Sequence, residues 1–174
     1  MYTKQEIAAC LLESSRSLIN CIDGMSDERF FAPVGRSEWS PAQHVDHLVR
    51  SSGAVNTALS LPRFILKFFG TPNRAGRTYD ELKKRYREKL AAGGRASGRY
   101  VPPGSGKIDR NKVRARYQKI SERLMLKASS MDEKELDQYL LPHPLLGKLT
   151  LREMLFFTIY HTYHHMDIIN NNGV

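Results

Sequence analysis

Four segments of the 174-residue chain repeat apolar residues at intervals of three and four, the spacing of one face of an α-helix. They span 3–22, 40–59, 109–130 and 150–170. A fifth helix, shorter and rich in lysine and arginine, is predicted over 78–90. No segment shows the alternation typical of a strand. The sequence therefore predicts an all-α fold, a four-helix bundle with a long crossover between the second and third long helices that carries the extra basic helix.

Polar side chains mark the predicted helix starts. Ser40, Pro41 and Gln43 combine a capping hydroxyl, a proline at the first helical position and a glutamine three residues after the cap. Thr78 with Glu81 and Thr150 with Glu153 have the same capping-box spacing. Stretches 25–38 and 132–144 lack any period and are predicted to be loops.

Length and composition favour one compact domain over 1–174, because a chain of this size buries a single core. Two cysteines are too few for a disulfide framework or a zinc ribbon. The first residues lack the apolar core of a signal peptide, and no apolar run reaches the length of a membrane span. We therefore expect a cytoplasmic protein that does not bind membranes.

Positive charge is concentrated in the middle of the chain. Residues 63–127 contain nineteen Lys and Arg against five Asp and Glu, a net charge of +14. The whole chain has a net charge of +9, so the remaining residues together carry −5. Such a stretch could attract nucleic acid or an anionic surface. It has no recognised nucleic-acid motif and no spacing of aromatic residues for base stacking, so we expect a solvated surface, and a nucleic-acid or anionic-surface binder is a third hypothesis that ranks below a metal-dependent protein.

Histidines supply the strongest indication of chemistry. His161 and His165 lie one turn apart on the inner face predicted for the last helix, and His44, His47 or both face inward from the second. An isolated inward histidine is more often a hydrogen-bonded core residue than a ligand. Burying three unpartnered imidazoles would cost roughly 1–3 kcal/mol each, whereas one divalent ion would satisfy all three. Three protein ligands also leave a coordination position open for water or substrate.

Two segments carry a family resemblance. The stretches WSPAQHVDHL (39–48) and YHTYHHMDII (160–169) strongly resemble the two signature helices of the DinB/YfiT-like metal-binding superfamily of four-helix bundles. Position by position, the resemblance implies that His47, His161 and His165 are the metal ligands. It leaves His44 and His164 as auxiliary or alternative ligands of lower rank, and Trp39 as a cover for the mouth of the bundle.

The resemblance also implies a function. Family members include S-transferases that use bacillithiol or mycothiol, and a related maleylpyruvate isomerase. We therefore expect a divalent-metal enzyme, with zinc or nickel and a low-molecular-weight thiol as cofactors, that transfers the thiol to a small-molecule substrate. A hydrolase in which the ion activates water is the alternative, and a non-catalytic metal-binding bundle is a further one.

Several roles stay open at this level. Asp46, Asp167 and His164 are candidate bases, but none has an inward helical phase, so no catalytic residue is assigned. Arginines and lysines of the crossover could bind carboxylates of the thiol or its acceptor. Relatives often form homodimers, and the apolar run 64–69 would suit a contact surface unless its phenylalanines pack under the crossover.

Overall fold

A computed structural model describes residues 2–35 and 39–170. The elements in chain order are α1 (Lys4–Asp23), α2 (Asp27–Phe31), α3 (Pro41–Ala58), α4 (Arg63–Lys67), α5 (Tyr79–Ala91), α6 (Arg110–Ser130), α7 (Glu135–Gln138), β1 (Leu140–His143), β2 (Gly147–Thr150) and α8 (Leu151–Asn170). Among the described residues, no helix has the length and apolar character needed to cross a lipid bilayer.

The four long helices α1, α3, α6 and α8 form the bundle that the sequence predicts. Helices α1 and α3 each pack against both α6 and α8. Two apolar clusters fill the interior, and α8 contributes residues 151–159 to one and Ile169 to the other. The stretch of α8 between these two contributions contains His161 and His165. Polar side chains therefore interrupt the apolar core at one level of the bundle.

The predicted capping boxes are present. Ser40 Oγ accepts from the backbone N–H of Gln43, while the Gln43 side chain accepts from the Ser40 N–H. The same reciprocal pairs join Thr78 with Glu81 and Thr150 with Glu153, and a further box joins Thr3 with Glu6. Because each box satisfies amide donors locally, the starts of these helices were predictable from neighbouring residues alone.

The connection between α3 and α6 contains α4, α5 and two single 3-10 turns. The predicted basic helix is α5, which buries Leu82 and Tyr86 and packs against α8. Phe64 in α4 is 65% exposed, and Phe68, directly after α4, is 84% exposed. These two rings therefore do not pack beneath the connection.

Two predicted loops contain regular structure. Helix α2 lies within 25–38, whose last residues, 36–38, fall outside the described part of the chain. Strands β1 and β2 form an antiparallel hairpin in which Leu140 pairs with Thr150 and His143 with Gly147. The prediction that 132–144 lacks strands was wrong. Strands of four residues, one of them interrupted by Pro142, are too short to show alternation.

Candidate metal centre

Three histidines from two helices converge inside the bundle. His47 projects from α3, and His161 and His165 project from successive turns of α8. One ring nitrogen from each histidine lies within 4.8 Å of the other two, and all three residues are buried. The Nε2 atom of His161 is 3.2 Å from Nε2 of His47 and 3.0 Å from Nε2 of His165. The structure thus brings together the three residues that the resemblance implied.

Hydrogen bonds on the far side of the rings determine where the His47 proton sits and hold the His165 ring. Nδ1 of His47 donates to the Tyr100 carbonyl oxygen at 2.7 Å, so Nε2 of His47 carries a lone pair. Nδ1 of His165 lies 2.8 Å from Nδ1 of His44. When that proton is on His165, its Nε2 also carries a lone pair. Such second contacts orient the histidine ligands of metal sites.

Burial keeps these imidazoles neutral. It lowers the pKa of His161 and of His165 well below the ordinary value of 6.5, and neighbouring histidines lower them further. Burial also lowers the pKa of His47, against the opposing effects of the Tyr100 carbonyl and Asp46. Neutral imidazole is the form that coordinates a metal, so the cluster is ready to bind an ion at neutral pH.

The donor set fits a divalent ion. Two nitrogens bound to a tetrahedral zinc at about 2.0–2.1 Å lie roughly 3.3 Å apart, close to the two Nε2 separations found here. Without an ion, the lone pairs of His47 and His165 face a single His161 Nε2, which has at most one proton to offer. An ion would interact with all three nitrogens. Zinc and nickel both suit imidazole ligands.

Trp39 and His44 line the side of the cluster. The Trp39 ring lies 5.2 Å from the His47 ring and 6.5 Å from the His165 ring, measured between centroids, and is nearly parallel to the latter. His44 is buried, and burial lowers its pKa to about 4. His44 thus contacts a member of the cluster through Nδ1 of His165 but is not among the converging nitrogens, and its role as an auxiliary or alternative ligand stays a prediction.

The other candidate bases do not contribute to the group of converging nitrogens. His164 packs against the rings of His165, Tyr86 and Tyr160, at 5.2, 5.7 and 6.1 Å between centroids. Asp46 is buried but forms an ion pair with Arg50 on the next turn. Asp167 lines a separate surface groove together with Tyr79 and Lys83, among others. None of the three acids and bases suggested by the sequence joins the group of converging ligand atoms.

A cavity of about 260 Å³ adjoins the cluster. His47 and His161 lie in its wall, whereas His165 does not. Most other lining side chains are apolar or aromatic: Ala54, Val55, Ala58, Leu61, Phe69, Tyr86, Leu90, Leu141, Leu145, Met154 and Phe157. An apolar lining with a few polar groups is typical of small-molecule sites, and the volume is just below their usual range of roughly 300–1,000 Å³. It reaches the histidines from the side occupied by the hairpin and by residues 95–100.

The structure adds one histidine that the sequence analysis did not assign. His143, at the end of β1, also lines the cavity. Its Nδ1 accepts hydrogen bonds from the backbone N–H groups of Leu145 and Leu146, at 3.2 and 3.1 Å. Burial lowers its pKa to about 4, so the ring is neutral and its proton sits on Nε2. The His143 ring packs edge-on against Phe157, which in turn stacks on His161.

Fold and site together define a helical bundle with a buried histidine cluster able to bind a metal ion. The chain belongs to the DinB superfamily, whose DinB_2 model matches residues 11–169. Among solved structures, it is similar to YfiT from Bacillus subtilis, described as a probable metal-dependent hydrolase with an unusual four-helix bundle topology. That match has a TM-score of 0.62 and 19% identity, and covers 97% of this chain and 85% of the other. No curated protein matches the chain.

Proposed function

We propose that the chain is a metal-dependent enzyme in which His47, His161 and His165 hold a divalent ion, zinc or nickel. The observation that supports catalysis is the position of the cavity. Two of the three ligands line it, so a small molecule inside would lie next to the open side of the ion. A purely structural site would instead be closed by four protein ligands.

The reaction that we propose is transfer of a low-molecular-weight thiol to an electrophile. A bound divalent ion lowers the pKa of a thiol and stabilises the thiolate. The protein keeps its three imidazoles neutral by burial, orients His47 through the Tyr100 carbonyl, and surrounds the reacting atoms with apolar side chains. The thiol proton leaves to solvent and a sulfur–carbon bond forms, while either a carbon–halogen bond breaks and the halide departs, or an epoxide C–O bond breaks and its oxygen takes up a proton.

Hydrolysis is the second candidate. It is favoured by the structural similarity to YfiT, a probable metal-dependent hydrolase, although at 19% identity that similarity concerns the fold alone. The same histidines would serve either reaction, since a metal ion activates water as well as thiols. Which co-substrate the cavity accepts distinguishes the two.

Ion content is the first test. Protein purified without an affinity tag and loaded with zinc or nickel should hold one ion per chain, and His47→Ala should hold substantially less. His164→Ala is the matched control, because His164 lies outside the converging nitrogens, and it should keep the full complement. Equal ion content in the wild type and His47→Ala would show that the ligand assignment is wrong.

Activity is the second test. The loaded protein is assayed with bacillithiol or mycothiol and a chlorinated or epoxide acceptor, and separately with a panel of esters and amides. We expect thiol-dependent product that disappears in His161→Ala while circular dichroism shows the helices retained. Ester or amide cleavage without thiol would indicate the hydrolase. Ion binding with neither activity would favour a non-catalytic bundle.

A further inference from the structure

The mouth of the cavity carries two arginines. Arg95 and Arg99 line the cavity and are exposed, as expected for side chains at its opening. Among the described residues, neither has a carboxylate partner, although Arg63, Arg74 and Arg114 each have one. No Asp or Glu occurs among the residues that line the cavity in the described part of the chain. The opening is thus positively charged and lacks a balancing acid.

Arg99 is held beside the histidine cluster by its own backbone. It lies in the 3-10 turn Gly98–Tyr100, whose last carbonyl accepts the hydrogen bond from His47. The Arg99 carbonyl accepts from Arg50, which is paired in turn with Asp46. The Arg99 guanidinium donates to the Tyr100 hydroxyl at 3.0 Å and lies over the Tyr100 ring. These contacts use only part of the guanidinium, which carries five N–H donors.

We propose that the cavity binds an amphipathic anion. The apolar body of this molecule packs between α3 and α8, and its carboxylate or phosphate is bound at the opening by Arg95 and Arg99. Guanidinium groups bind both kinds of anion through paired N–H groups. The inference rests on the proposed function only in treating the cavity as the substrate site.

Charge at the opening also sets the orientation of the molecule. With its acidic group held at the arginines, the other end of the molecule points towards His47, His161 and His143, the polar side chains deeper in the cavity. His143 offers an Nε2–H donor there, because its Nδ1 is already occupied by two backbone N–H groups. The reacting group would therefore be the end of the molecule opposite the anion.

Direct binding measurements test the proposal. Full-length protein, metal-free and zinc-loaded, is titrated by calorimetry at fixed ionic strength with octanoate, octyl phosphate and the neutral octanol. At least one anion should bind at least tenfold more tightly than octanol to both forms. Which anion binds better distinguishes carboxylate from phosphate recognition. Arg95→Gln combined with Arg99→Gln should lower the affinity for the better-bound anion by about tenfold or more, as expected for lost charge-assisted hydrogen bonds.

The matched control is Arg16→Gln combined with Arg116→Gln. These exposed arginines lie outside the cavity, and the double change removes the same net charge. It should leave anion binding unchanged, which separates local contacts from long-range attraction. Ala54→Leu adds bulk to the cavity wall, so it should lower the affinity for the anion without changing the metal content.

Three results would overturn the proposal. They are equal affinity for octanol and the anions, undiminished binding in the Arg95 and Arg99 double variant, and anion binding that needs zinc but not the arginines. In the last case the acidic group binds the ion instead. Anion binding is measured on the metal-free protein as well, so its outcome does not depend on the metal site. The metal site is tested separately, by the ion content of His47→Ala.

Discussion

The hydrogen bond between His44 and His165 should control metal affinity although His44 is not a ligand. When Nε2 of His165 coordinates an ion, its proton must sit on Nδ1, which then donates to Nδ1 of His44 at 2.8 Å. Both side chains are buried, so water cannot replace the acceptor. An unsatisfied buried donor costs about 1–3 kcal/mol, and loss of such outer contacts weakens metal sites by about 10–100-fold.

We therefore expect His44→Leu to bind zinc about 10–100-fold more weakly than the wild type, measured by competition with a chelator at pH 7.5. His44→Asn should lose much less, because its amide oxygen lies near the position of the Nδ1 acceptor. His164→Leu should bind normally, since the His164 ring touches the His165 ring but forms no hydrogen bond with it among the described residues. Wild-type affinity in His44→Leu, or equal losses in the leucine and asparagine variants, would refute the reasoning.

Three further predictions concern the rest of the molecule. Burial depresses the pKa of His143 to about 4, so its neutral form stabilises the fold above pH 6.5 and this stability is lost as the pH falls towards 4. In urea denaturation of the metal-free protein, the wild type should lose about 2 kcal/mol more than His143→Asn between pH 7 and pH 4.5, and equal losses would contradict this. If the expected homodimer forms through the exposed rings of Phe64 and Phe68, changing both to Ser should give a monomer in sedimentation, whereas an unchanged mass would exclude this surface. Glu153→Gln should reduce the free energy of unfolding by about 2–4 kcal/mol, because its carboxylate is only 1% exposed and accepts hydrogen bonds from the Arg74 guanidinium and from backbone N–H groups. A loss under about 1 kcal/mol would show that the pair of Arg74 and Glu153 contributes little.

The helices and two of the proposed ligands could be predicted because their signals are local. Capping boxes involve residues three apart, and His161 and His165 share a face at a spacing of four. The choice between His44 and His47 was harder, because both are buried on α3. Helical phase alone left them open, and only the family resemblance selected His47. Tertiary contacts distinguish them: Nε2 of His47 lies next to Nε2 of His161, whereas Nδ1 of His44 lies next to Nδ1 of His165, on the far side of that ring.

The cavity and His143 could not be predicted, because they depend on contacts between distant segments. His143 reaches the cavity through a hairpin with four-residue strands, in which it pairs with Gly147, whose φ is 76°. Prolines on both sides of His143 made this stretch look like a loop. Its neutral state follows from burial against Phe157, which sequence spacing does not reveal.

The basic stretch 63–127 contains cations with two different tasks. Several arginines pair with carboxylates outside the stretch and tie the connection and α6 to the rest of the bundle: Arg63 with Glu135, Arg74 with Glu153, Arg110 with Asp27 and Arg114 with Asp23. Neutralising these should lower stability. Arg95 and Arg99 have no such acid among the described residues and face the cavity instead. Because the carbonyl of Tyr100, next to Arg99, also orients His47, one turn places both the proposed anion contact and a proposed metal ligand. The charge excess therefore belongs partly to the fold and partly to the site, and substitutions can separate the two.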